Sequence, residues 1–319
     1  MLLLLARWAA ALLIIALLAY FLPLAQLRTA ISGISPVRFA GLLVIYLLAL
    51  TVGIIKWHLV VNSADSRLPV SVSAQCYAGG LFGALFLPSI VGGDVVRLAV
   101  GISRSPRPAS VVTGNVVDRL LDAAAQLTLV LLGVGLFPGP LPHLLKIPTR
   151  YLLLVGSTAA AGVFILWMVA PRLLRGRSIR FRRRLAQLHL AQVAVSKHPY
   201  QILSCWLLGL CVQGTFLLIT MLLGISCGLH LPFRAWLFAW PLSKIAGILP
   251  ITQGGIGVRE TAMVALLVPF GAPAALVLAT GIAAEGIIIT GGLIAGLTAF
   301  LLRRRDQSVK HTNLARGGK

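Results

Sequence analysis

The sequence predicts an all-α polytopic membrane protein, an inverted repeat of two units, each with three transmembrane helices and one re-entrant helical hairpin. Three observations carry this expectation. The 319 residues are 58% hydrophobic and only 11% charged, with a mean hydropathy of +0.96, whereas soluble domains carry about 25% charged residues. Apolar runs of spanning length recur along the chain. Basic residues fall mostly between those runs and in the tail, as the positive-inside rule requires. This composition excludes a soluble enzyme and a disordered or fibrous chain. The net charge of +21, from 28 Lys+Arg against 7 Asp+Glu, therefore belongs to membrane-flanking loops and is not a nucleic-acid footprint.

The first run, about residues 2–22, is too long for a signal peptide, is interrupted by Arg7, and is expected to stay as a span. Runs at about 38–61, 111–136, 150–170, 200–226 and 272–302 supply five more spans. Regions 71–102 and 235–268 differ, because Pro and paired Gly interrupt each of them. Their pieces, about 12 to 17 residues long, are mostly too short for a hydrocarbon core that takes ~20 residues. Broken helices persist at membrane depth only when buried in protein or lining a cavity, so both regions are read as re-entrant hairpins.

Orientation follows from charge. Segment 171–199 holds eight Lys/Arg and no acid, and the tail 303–319 holds six more basic residues, so both are expected on the cytoplasmic side. Counting outward places 62–70 and 103–110 inside, with 23–37, 137–149 and 227–234 outside. The first hairpin then enters from the cytoplasm and the second from outside. Residues 1–302 form one membrane domain, with repeat one at about 1–137, repeat two at about 138–302, and 303–319 as a basic cytoplasmic tail. Both termini are cytoplasmic on this count.

The hairpin tips support the repeat. Leu87-Pro88-Ser89-Ile90-Val91-Gly92-Gly93-Asp94-Val95-Val96-Arg97 aligns without gaps on Leu249-Pro250-Ile251-Thr252-Gln253-Gly254-Gly255-Ile256-Gly257-Val258-Arg259, with six identities in eleven positions. Each Pro ends an incoming helix, and each Gly pair permits a tight reversal. The returning half-helix would present free N–H groups and its positive dipole end, with Arg97 or Arg259 about one turn further in. Such a set reads as an anion site, for which the planar Arg fork suits phosphate. The competing reading is that the glycines serve helix packing and the arginines pair internally. The substrate-binding set on the first reading is Pro88, Gly92, Gly93, Asp94, Arg97, Pro250, Gly254, Gly255, Arg259 and Glu260.

A second group of charges lies in or beside the spans and forms an expected coupling or charge network. Asp118 and Asp122 share a helical face, with Arg119 alongside. Glu285 lies near the middle of the last span, with Lys244 as its expected partner. The four cysteines, Cys76, Cys205, Cys211 and Cys227, read as small buried hydrophobes. The six tryptophans, Trp8, Trp57, Trp167, Trp206, Trp236 and Trp240, read as an interfacial belt. Histidine spacing gives no metal site, and neither a phosphate loop nor a nucleophile elbow occurs. No catalytic residue, metal or cofactor is expected.

LPITQGGIGVRE and LPSIVGGDVVR, the latter followed by VVDRLLD, resemble the lysylphosphatidylglycerol synthase transmembrane (flippase-like) family through residue 302. The most specific tract is Pro250 to Glu260. Many members carry a GE-x2-R-like turn in the first hairpin, whereas this chain reads GGD-x2-R. Two-domain members add a cytosolic aminoacyl transferase, and only a 17-residue tail follows the last span of this chain, so synthase activity is not carried over. The resemblance implies a bacterial inner-membrane protein that flips an anionic lipid or a polyprenyl phosphate between leaflets. Expected partners are that lipid and, as an option, further copies of the chain, with no nucleic acid. The alternatives are a small-solute secondary transporter, or a noncatalytic membrane subunit of a glycolipid or phospholipid enzyme.

Overall fold

The computed structural model describes residues 24–87, 91–135, 179–247, 252 and 255–317. The expected spans at 2–22 and 150–170, and the site positions Pro88, Pro250 and Gly254, lie outside the described residues. Ten α-helices fall within them: α1 Leu24–Ser32, α2 Pro36–Ser63, α3 Val70–Phe86, α4 Val91–Arg104, α5 Pro108–Gly135, α6 Ile179–Ser196, α7 Pro199–Ser226, α8 Phe233–Ala246, α9 Val258–Leu267 and α10 Ala274–Gly317.

Local chemistry sets the boundaries. Ser35 caps α2 by accepting the Arg38 N–H at 3.3 Å, and Pro36 fills the first helical position, where no donor is needed. Pro69 and Pro232, both extended, precede α3 and α8, and Pro199 opens α7. Leu87 is extended at φ −93° and ψ 145° and ends α3, as the residue before a proline prefers. At the other tip, Gly257 (φ +86°) turns the chain into α9, and Gly271 (φ +86°) turns it out again.

Among the described residues, three helical segments are long and apolar enough to cross a membrane: Pro36–Ser63, Pro199–Ser226 and Ala274–Arg304. Helix α5 has 28 residues, and Asp118, Arg119 and Asp122 interrupt its apolar run. Helices α3, α4, α8 and α9 have 17, 14, 14 and 10 residues. At 1.5 Å per residue none reaches the ~30 Å of a bilayer core. The short helices pack in consecutive pairs, α3 on α4 and α8 on α9.

The packing follows one scheme twice. α2 packs on α3 and α5, and α4 on α5; likewise α7 packs on α8 and α10, and α9 on α10. Across the halves α3 meets α10 as α8 meets α5, α5 meets α7 as α10 meets α2, and α6 lies on α5 as α1 lies on α10. Helices α2 and α7 face each other at the centre. Trp57, Val61, Cys76, Val111, Leu223 and Ile287 join the halves in one buried cluster. Outward-facing Val44, Leu48, Leu207, Leu297 and Phe300 are more than half exposed, an apolar rim suited to lipid.

Two expectations gain detail and two need correction. Helix α10 runs unbroken past residue 302 to Gly317, so the tail begins as a continuation of the last span. The described part of the basic segment 171–199 is the helix α6, which buries Ala191 and Val195 against Val60, Val117 and Cys205. Trp57, Trp236 and Trp240 are core residues and not part of a belt, because the helices turn these large rings inward. Cys211 is exposed, while the other three cysteines are buried.

Close approach explains Gly93. A Cβ on Gly93 would stand 2.6 Å from the Gly80 carbonyl oxygen, and one on Gly80 would stand 2.8 Å from the Gly93 oxygen. The two backbones occupy that space themselves, so Gly93 serves the α3–α4 contact. Gly93→Leu is therefore expected to lower the yield of folded, monodisperse protein in detergent. A normal elution profile would remove this packing role.

Candidate functional site

Among the described residues, the charged side chains of the interior gather in two places. The first lies between α2, α4 and α5. Lys56, 2% exposed, sets its Nζ 2.9 Å from Asp118 Oδ1 and 2.5 Å from Asp122 Oδ1. Arg119 reaches Asp94 Oδ1 at 2.8 Å and Asp122 Oδ2 at 3.4 Å. Arg97, equally buried, has Nη1 3.5 Å from Asp118 Oδ2 and 3.7 Å from Asp94 Oδ1. Its guanidinium lies over Tyr77 at 4.2 Å and near Trp57 at 5.8 Å, a cation–π arrangement that helps replace lost water. Three cations thus face three carboxylates, and the network is neutral.

Lys56 and Tyr77 are absent from the sequence-based site. Lys56 had a signal: it is the only Lys, Arg, Asp or Glu between Arg38 and Asp65, and an isolated intramembrane charge calls for a partner. Asp118, Arg119 and Asp122 were expected as a charge network and Asp94 and Arg97 as part of the substrate-binding set; the structure brings all five together.

The second gathering borders a cavity of about 340 Å³ between α2, α3, α7, α8, α9 and α10. Its wall is apolar over most of its extent, with Leu85, Phe86, Phe216, Ile288 and Leu293 among the lining residues. Lys244, Arg259, Glu260 and Glu285 supply charge. Arg259 pairs with Glu285 on α10 and stands 3.4 Å from Glu260 Oε1. Glu260 Oε2 accepts the Gly257 N–H at 2.5 Å. Lys244 donates to Gln213 Oε1 at 2.6 Å and sits 5.0 Å from the Trp240 ring and 5.5 Å from the Phe216 ring.

Three site expectations change with this geometry. Glu285 pairs with Arg259 and not with Lys244, because α10 packs its Glu285 face on α9. The α9 N-terminus already holds a carboxylate, its own Glu260, where an incoming anion was expected. Gly255 is in the left-handed region at φ +79° with its Cβ direction 2.6 Å from the Gly247 oxygen, and Gly92 faces Leu87; neither opens toward a ligand. The two tip arginines also differ: Arg259 lines the cavity, whereas Arg97 is enclosed in the first network.

The apolar rim, the spanning helices and the interior charges define an α-helical membrane protein with a mostly apolar cavity that charged side chains help to line. The chain matches the family model of the lysylphosphatidylglycerol synthase TM region over residues 7–296 and belongs to that family. The family ties it to anionic-lipid metabolism or transport. No curated protein and no solved structure matches it.

Proposed function

We propose that the protein translocates an anionic lipid, or a lipid-linked phosphate, between the leaflets of the bacterial cytoplasmic membrane. The cavity carries this reading: a mostly apolar wall with Arg259 and Lys244 among its lining residues suits a molecule with acyl chains and an anionic head. In this scheme Arg259 and Lys244 receive the headgroup, and Arg97 keeps the first network neutral. The scaffold is an inverted repeat with α3–α4 and α8–α9 as re-entrant hairpins; the twofold packing scheme and the matching tip motifs support it. Both termini are cytoplasmic by the distribution of basic residues. Outward movement of one negative charge is favoured by about 2.3 kcal/mol per 100 mV, interior negative, so inward movement requires coupling, for which the buried carboxylates are suited. The protein acts without a catalytic centre of its own.

The test is translocation of a fluorescent phosphatidylglycerol in proteoliposomes, followed by chemical quenching of the outer leaflet. Wild type is expected to exceed protein-free vesicles. Ala284→Trp, which fills the cavity, is expected to fall to the protein-free rate while eluting as folded protein. Wild-type flipping no faster than empty vesicles defeats the proposal.

Topology gives a separate prediction. In a Cys211→Ser background, which removes the exposed native thiol, cysteines replacing exposed Arg67 and Val268 are expected to label from opposite sides of the membrane. Labelling of both from one side would end the inverted-repeat reading.

A further inference from the structure

The charges of the cavity are not matched evenly. Arg259 has two carboxylates within ion-pair reach, and one of them, Glu260, is also held by the N-terminus of α9. Lys244 has none among the described residues. Its compensation is one neutral acceptor, Gln213, and the faces of Trp240 and Phe216. An ammonium carries three donors, and a charge held in apolar surroundings without a counter-ion is costly. Lys244 lies on α8, which packs on α9, and lines the cavity. The elements packed on α8 bring further charges: Glu260 and Arg259 on α9, and Arg119 and Asp122 on α5, each engaged elsewhere.

We infer that Lys244 is the phosphate-recognition residue of this cavity, and that its missing counter-ion is the single negative charge of a phosphodiester amphiphile whose chains lie along Leu85, Phe86, Ile288 and Leu293. This rests on the lipid reading above and deepens it. Recognition is then asymmetric across the pseudo-repeat: the three cations of the first network are balanced by its three carboxylates, and the second network supplies Lys244, which among the described residues has no carboxylate in ion-pair reach. Gln213 and the two rings hold the ammonium in place, so its remaining donors face the cavity at little ordering cost. The selectivity is for anionic over zwitterionic headgroups, because a choline or ethanolamine ammonium would meet Lys244 as a like charge.

Trp240 provides an internal reporter. The full chain in phosphatidylcholine nanodiscs is titrated with chain-brominated phosphatidylglycerol, and with brominated phosphatidylcholine as the zwitterionic control. The part of the quenching absent in Trp240→Phe is read. Wild type is expected to show saturable quenching that prefers phosphatidylglycerol. Lys244→Gln is expected to weaken that preference about tenfold, the scale of one charge-assisted hydrogen bond, and Lys244→Arg to retain it. Inorganic phosphate is added as a competitor: displacement would identify a free phosphate as the ligand, and no displacement a lipid headgroup, with Lys244 as receptor in either case. Thermal melting is the second measurement. Removing an unmatched cation is expected to leave the melting temperature of ligand-free Lys244→Gln unchanged or raised. Undiminished preference in Lys244→Gln, or a variant that melts early or fails to fold, overturns the inference. Lys244-dependent binding without flipping would leave it standing and remove only the translocation reading, whereas flipping that ignores Lys244 would do the reverse.

Discussion

Arg259→Gln is expected to abolish lipid translocation and to destabilise the protein. The substitution leaves Glu285 and Glu260 facing each other beside an apolar cavity without their cation. Breaking one partner out of a buried pair costs about 3–5 kcal/mol, a large share of the ~5–15 kcal/mol that holds a domain together. Arg259→Lys keeps the charge but loses the planar fork that serves two carboxylates at once, so partial rescue is expected. The double variant Arg259→Gln with Glu285→Gln separates the two roles of the arginine. It removes the orphaned charge, so its melting temperature is expected to recover while flipping stays absent. Recovery of both would show that Arg259 only neutralises Glu285, and would remove it from headgroup binding.

Lys56→Met is expected to have the largest effect on folding. Lys56 is the sole cation that α2 contributes to the first network, and it serves both Asp118 and Asp122. Its loss turns a balanced set of three cations and three carboxylates into a buried net negative charge. The expected cost is again about 3–5 kcal/mol, read as a lower melting temperature and poor yield in detergent. Adding Asp118→Asn restores neutrality, and Lys56→Met with Asp118→Asn is expected to recover most of the loss. A single Lys56→Met variant that melts like wild type would show that water reaches the network and screens it.

Both predictions depend on contacts that cross between helices, and that is where sequence reading and structure part. Features set by neighbouring residues were legible. The spans expected at 38–61 and 200–226 are Pro36–Ser63 and Pro199–Ser226, because apolar length and proline or serine at the first turn act within a few residues. The breaks in 71–102 and 235–268 were legible for the same reason. So was the face shared by Asp118 and Asp122, which helical periodicity fixes.

The choice of ion-pair partner was not legible. Periodicity says which residues share a face of one helix, but not which face of another helix it meets. Thus Lys56 joined Asp118 across α2 and α5, Arg119 took Asp94, and Glu285 took Arg259. The same limit misplaced Trp57 and Trp236, whose ring chemistry suits an interface as well as a core. It also left two readings open for Gly93, since a glycine kept for a ligand and one kept for a neighbouring backbone look alike in sequence, and the close approach of the Gly80 backbone supports the packing one. The sequence by itself determined a membrane chain with broken helices and interior charge. Only the tertiary structure decided that one cluster balances its own charges while the other borders a cavity, because the balance of buried charge is a property of the packed helices together and of none of them alone.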